Sequence, residues 1–155
     1  MASETLSKFG TLVTNTITLT SLGNGAGRIG TVVDNTTVRA PMCMVFFRTK
    51  SGASAPTANT PIKLYLIRRS NGGTDLADNA LGTADAAVTT EPTQAELIGN
   101  VIVTAGTATV YEKSFLLYDL PPKYSLVVWN AVGQSLSATA GDHILQIVPI
   151  TMEAQ

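Results

Sequence analysis

Histidine and cysteine each occur once in the 155 residues, as His143 and Cys43. A lone histidine leaves no imidazole pair for zinc and no second base for a relay. A lone cysteine closes no intramolecular disulfide, and Cys43, inside MCMVFF, reads as a small buried thiol of a reducing compartment. Charge is scarce as well: Asp, Glu, Lys and Arg make up 14% of the chain, against about 25% in an average soluble domain. The net charge of −1 supplies neither a basic field for nucleic acid nor an acidic solvating tail. Long apolar runs are missing too, since none approaches the ~18 residues of a spanning helix. The opening MASETLSKFG has no apolar signal core. Low charge together with a positive mean hydropathy points to a surface that is partly covered by other protein subunits.

What is present is β grammar. At this length a single domain, 1–155, buries its own core. Residues 11–20 alternate, with Val13, Ile17 and Leu19 on one face and Thr14, Thr16, Thr18 and Thr20 on the other, as a strand with one wet face does. The stretch 23–30 reads as a turn, and 31–38 as a β-branched run broken at Asp34 and Asn35. Further strands are expected near 42–49, 62–68, 97–104, 107–117, 124–129 and 143–151, with an exposed loop at 51–61. The Ala- and Asp-rich residues 74–96 read as one long surface loop. About eight short strands without a strong amphipathic helix predict an all-β antiparallel sandwich of jelly-roll type. Residues 1–10 and 151–155 are candidate arms that order on binding.

Three of these strands break the rule that an antiparallel sheet keeps one wet face. In 42–47, 124–129 and 144–150 apolar residues occupy both parities. Such strands need cover on a second face, and a neighbouring subunit is the expected cover. Val127 and Trp129 are therefore interface candidates, Trp129 being the only tryptophan. Arg48, Arg68 and Arg69, with Lys50 and Lys63, form a local basic patch for an acidic partner if strands 42–50 and 62–69 are neighbours.

The motifs that suggest chemistry lack their context. Gly25, Gly27 and Gly30 spell GxGxxG, yet no helix start follows to receive a pyrophosphate and no acid stands about twenty residues on. His143 opens an apolar strand beside Asp142, and neither Ser125 nor Ser135 lies in a G-x-S-x-G elbow. Asp75, Asp78, Asn79 and Asp85 offer oxygen ligands at a spacing that matches no EF-hand loop, and loop solvation is the expected role. Asn35 heads a glycosylation sequon with no signal peptide to deliver it. These residues point to no catalytic group, cofactor or metal, and to a protein that is not an enzyme.

The phrases TITLTSLGNGAGRIGTVVDNTT, LYLIRRSNGGT, LIGNVIVTAGTATVYEKSF and LPPKYSLVVWNAVGQSLSATAGDHILQIVPI carry a resemblance over residues 16–150. Its most specific part holds Leu120, Pro121, Pro122, Lys123, Val127, Asn130, Gly133 and Leu136. The chain resembles a group of small virion structural proteins of tailed bacteriophages. The resemblance implies a jelly-roll-like sandwich on the particle, made in the host cytoplasm. A head decoration (cement) protein that forms a homo-oligomer, a trimer, and binds the major capsid protein is the first expectation. A neck or tail component is the second. A carbohydrate- or receptor-binding module that reads its ligand with loop 74–96 is a third reading, from another class. None of these partners is a nucleic acid or a membrane.

Overall fold

Runs of β-branched, aromatic and long aliphatic residues between Pro and Gly punctuation become strands wherever two apolar faces can be shared. The computed structural model of the protein describes residues 5–70, 81 and 84–154. Its strands are β1 (Thr5–Phe9), β2 (Val13–Thr14), β3 (Ala26–Ile29), β4 (Val33–Asp34), β5 (Met42–Lys50), β6 (Pro61–Arg69), β7 (Ala86–Val88), β8 (Glu96–Ile102), β9 (Val110–Tyr118), β10 (Lys123–Asn130) and β11 (Ile144–Ala154). A 3-10 turn spans Ala140–Asp142, and among the described residues no helix is long and apolar enough to cross a membrane.

Two antiparallel sheets face each other. The first has the order β1-β11-β5-β9, with β2 also on β11; the second has the order β7-β3-β10-β6-β8, with β4 also on β10. If β1 with β2 and β3 with β4 are each taken as one position and β7 is set aside, eight positions remain. Their orders, 1-8-3-6 and 2-7-4-5, are the interleaved Greek keys of a jelly roll. The all-β antiparallel sandwich expected from the sequence is the fold.

The core lies between the sheets. Cys43, Val45 and Phe47 of β5 and Leu145 and Ile147 of β11 meet Ile62, Leu64 and Leu66 of β6 and Tyr124, Leu126 and Val128 of β10. Cys43 is fully buried, as expected; burial pushes its thiol up to about 11, and the Tyr124 hydroxyl lies 3.8 Å from its sulfur. The two closing strands, adjacent in sequence, are split between the sheets and face each other across this core. Asn130 turns the chain between them. Its Oδ1 accepts from Val132 N at 3.1 Å, and its Nδ2 donates to Leu22 O and Gln134 O at 2.8 Å each.

The structure departs from the sequence reading at the N-terminal third. The alternating stretch 11–20 gives only the short β2. Asn15 interrupts it: its backbone N–H donates to Leu145 O of β11 at 3.0 Å while its buried side chain donates to Thr31 O at 2.8 Å, and Thr16 O accepts from Thr31 N, so the chain turns from β11 to residue 31. The expected turn at 23–30 contains β3, which pairs with β10 from Ile29–Val127 to Ala26–Asn130. Gly27 makes that pairing possible, because a β-carbon there would lie 2.7 Å from the Trp129 ring. At Gly30 it would lie 1.8 Å from Asn15 Oδ1. Gly27 and Gly30 of the GxGxxG pattern thus serve close packing and Gly25 a turn at φ +69°, with a strand and no helix among them.

The long loop is only partly a loop. β6 and β8 are hydrogen-bonded antiparallel neighbours, which a turn of about two to five residues could join. Instead the chain reaches β7 beside β3 at the opposite edge, then returns through residues 89–95 to β8. Asp75, Asp78 and Asn79 of that connection lie outside the described residues.

Candidate docking surface

The three doubly apolar strands meet two different fates. On β10 the residues facing away from the sandwich core are Val127 and Trp129, and both are buried in the single chain, at 0% and 6% exposure. They form a second cluster with Ile29, Tyr65, Ile67 and Val88, against which Leu81, Ala86, Ala95 and Ala131 pack. The strand register shows how. Val88, Gly27, Trp129 and Lys63 form one row across β7, β3, β10 and β6, with Ala86, Ile29, Val127 and Tyr65 in the next. Residues 89–95 must cross this face to connect the two edges of the sheet. The cover expected from a neighbouring subunit is supplied here by the chain's own β6–β8 connection, so Val127 and Trp129 present no contact surface in this structure.

Three carboxylates hold that crossing segment. Asp85 accepts from Arg28 Nε at 2.7 Å, Thr18 N at 3.1 Å and Thr18 Oγ1 at 2.5 Å. Burial pushes its carboxyl up, but the bonds from Arg28 and Thr18 outweigh burial and leave it below the ordinary range. Glu91 accepts from Lys63 Nζ at 2.6 Å and from the Tyr65 hydroxyl, which hold it low. Tyr65 is correspondingly held up, by burial first and by Glu91 second. Glu96 receives Arg68 at 2.9 Å.

The first sheet has no such cover among the described residues. Its outward residues fall into rows by register: Phe9, Ile150, Met42 and Tyr118; then Val148, Met44 and Leu116; then Thr14, Gln146, Phe46 and Ser114. No charge interrupts them until Arg48 and Glu112, paired at 3.3 Å in the row of Ile144. Phe9 is 65% exposed, Tyr118 61%, Phe46 41% and Leu116 39%. In the second sheet, by contrast, the exposed large apolar side chains, Leu97 and Ile102, are confined to the edge strand β8. At ordinary strand spacing and rise the open face measures roughly 15 by 20 Å, an apolar area of the kind that marks interaction sites. A cleft of about 230 Å³ opens beside Phe46, between Arg48, Glu112, Lys113 and Ile144. Methionine and aromatic side chains suit such a face, because they adapt to a partner's relief and bury much area per residue.

Beyond Ile150 the sheet narrows to a two-stranded ribbon, Leu6 to Phe9 against Ile150 to Glu153, with Leu6, Phe9 and Met152 exposed. The described parts of the two candidate arms, 5–10 and 151–154, pair with each other and lengthen the open face.

The expected basic patch does not form. β5 and β6 lie in different sheets. Arg48 sits near one end of β5, whereas Arg68 reaches Asp119, just past the Tyr118 that pairs with Met42 at the other end. The cations are matched individually: Arg48 with Glu112, Lys50 with Asp142, Lys63 with Glu91, Arg68 with Glu96 and Asp119. Arg69 is buried, with Nε donating to Ser125 Oγ at 3.1 Å.

The remaining candidates have structural work. His143 Nε2 lies 2.9 Å from Ser137 O, a carbonyl that only accepts, so the proton is on Nε2. Nδ1 lies 2.8 Å from Thr49 Oγ1, a hydroxyl on a fully buried residue. Asp142 accepts from Ser137 Oγ at 2.6 Å and pairs with Lys50, and Ser125 is occupied by Arg69. Asn35 is legible in the sequence as a turn residue and a sequon. In the fold its Nδ2 donates to Ala40 O and Pro121 O and its Oδ1 accepts from Ala40 N, closing the loop 35–40 onto the double proline beside a cleft of about 420 Å³. Among the described residues no group of three or more His, Cys, Asp or Glu could hold a metal ion. Comparison with protein-family models, with curated proteins and with solved structures yields no match to this chain.

Proposed function

We propose that this protein is a non-enzymatic structural subunit that docks through the outer face of the β1-β11-β5-β9 sheet. One observation carries the reading: both sheets have apolar outer faces, and the described residues seal one of them while leaving the rows of Phe9, Met44, Phe46, Leu116 and Tyr118 open. Apolar area left in water at roughly 25 cal/mol per Å² is a standing driving force for association, from which the ordering costs of binding are subtracted. The resemblance to small virion structural proteins of tailed bacteriophages supplies the partner class. The protein is a capsid decoration (cement) protein that oligomerises, as a trimer, and binds the major capsid protein; the neck or tail is the alternative position on the particle. Nothing favours the carbohydrate-binding reading, because the described part of the loop it relies on is spent on covering Trp129 and Val127.

The test is binding of purified protein to particles that lack it. Wild-type protein is expected to bind in many copies per particle, whereas Met44→Asp with Leu116→Asp leaves a folded protein that no longer binds. Hundreds of copies place it on the head and about a dozen on the neck or tail. Unchanged binding by the double variant would remove this face from the proposal.

A further inference from the structure

We propose that residues 84–95 form a carboxylate-latched strap that lifts off the second sheet as a unit when Asp85 and Glu91 are protonated, uncovering Tyr65, Val127 and Trp129. The inference stands apart from the docking reading, since it concerns the opposite face of the molecule.

The placement of the segment makes it separable. No residue of 84–95 belongs to the cluster between the sheets. Its apolar contribution to the second cluster is three small side chains, Ala86 and Val88 at the sheet edge beside Ile29 and Gly27, and Ala95. β6 and β8, the strands on either side of the excursion, are paired with each other from Pro61–Ile102 to Leu66–Glu96, so the sheet keeps its ladder when the strap leaves. β7 is held to β3 by a register of three residues only. A segment with few buried apolar contacts, anchored mainly by polar bonds, opens at lower cost than the body it covers.

The anchors are the latches. Arg28 from β3 and Thr18 from the segment before it face Asp85, and Lys63 and Tyr65 from β6 face Glu91. Arg68, also from β6, faces Glu96 and shares itself with Asp119. From β10 the nearest charge is Lys123, which pairs with Asp34 and not with the strap. Protonating Asp85 and Glu91 removes the acceptor charges while Arg28 and Lys63 stay cationic, so both latches weaken together. Both carboxyls lie below their ordinary range in the folded protein. The latching is therefore complete above about pH 4, where such groups ionise in an open chain, and is lost as the pH falls through their lower folded values.

Trp129 reports the event because it is the only tryptophan and lies under the strap. The experiment measures acrylamide quenching of its fluorescence, alongside far-ultraviolet circular dichroism, from pH 7 to pH 2. Wild-type protein is expected to show low quenching at pH 7 and a rise below about pH 4 while the strand signal persists. Asp85→Asn with Glu91→Gln is expected to be quenched at pH 7, with an opening equilibrium raised roughly ten-fold per latch, as for the loss of a hydrogen bond to a charged group. Should that variant fail to fold, hydrogen exchange of the wild type decides: at pH 3, residues 84–95 lose protection while β5 and β11 keep theirs. Quenching in a folded variant equal to wild type at pH 7 would overturn the proposal. So would exposure of Trp129, or loss of strap protection, only in step with unfolding of the whole sandwich.

Discussion

The outer faces of the two sheets start from the same sequence signature and end differently. β10 carries apolar residues at both parities, as β5 and β11 do. Val127 and Trp129 nevertheless lie in a second core, while Met44, Phe46 and Leu116 of the first sheet line an open surface. The difference arises away from the strands themselves. The β6–β8 connection is long enough to cross one face, and no described segment crosses the other. A doubly apolar strand therefore says that a second layer exists, but not whether the layer belongs to the same chain.

The contrast can be broken most forcefully at its buried side. Val127→Asp would place a carboxylate among apolar side chains at a site with 0% exposure, at a cost of about 3–5 kcal/mol for a poorly compensated buried charge. That is a large share of the stability of a domain this size. Thermal melting followed by circular dichroism is expected to show a collapse of the transition or no folded protein, and a near-normal melt would place Val127 outside any core.

A milder break is Gly27→Ala. The added methyl would stand 2.7 Å from Trp129 Cε3 and 3.1 Å from Val128 O, an overpacking expected to cost about 1–3 kcal/mol. Urea titration should show the loss, with a shift in Trp129 emission marking its location.

Acid sharpens the contrast with smaller effects. Asp85 and Glu91 both have lowered folded values, so each contributes stability above the ordinary carboxylate range that is lost on acidification. The covered face should therefore lose stability first as the pH falls. The open face, whose rows hold no carboxylate before Glu112, should not respond. Hydrogen exchange resolved by segment measures both in one titration.

The smallest effect on folding is expected at the open side. Phe46→Asp changes a side chain that already meets water, and its stability should stay within about 0.5 kcal/mol of wild type by urea titration. Self-association and particle binding should fall. A loss of stability as large as at Val127 would mean that the first sheet's face is covered after all.

Much of the fold was legible because its strongest signals are local. Pro61, the double proline before β10 and the uninterrupted apolar runs of β5, β6, β10 and β11 mark strands whose apolar content leaves little choice of structure. The first third was misread for an equally physical reason. The alternation of 11–20 is interrupted by one buried amide, Asn15, whose partner Thr31 is remote in sequence, and β3 was hidden because glycines that usually mark a turn here admit the Trp129 ring. The basic patch failed because it assumed a pairing of β5 with β6 that the jelly-roll order forbids. The partners of Asn35 and Asp85, beyond a turn and a loop oxygen, left no signal in the sequence, since their value lies in bonds to residues placed by the fold.

By itself the sequence determined the class of the fold, the buried thiol at Cys43 and the existence of apolar surface beyond one core, because composition and period-two patterning act within a few residues. Only the tertiary structure decided which face the chain closes over itself, where each cation finds its acid, and that Phe9, Met42 and Tyr118 share a row with Ile150. Those outcomes depend on strand order and on the path of one long connection, and both are properties of contacts between residues far apart in the chain.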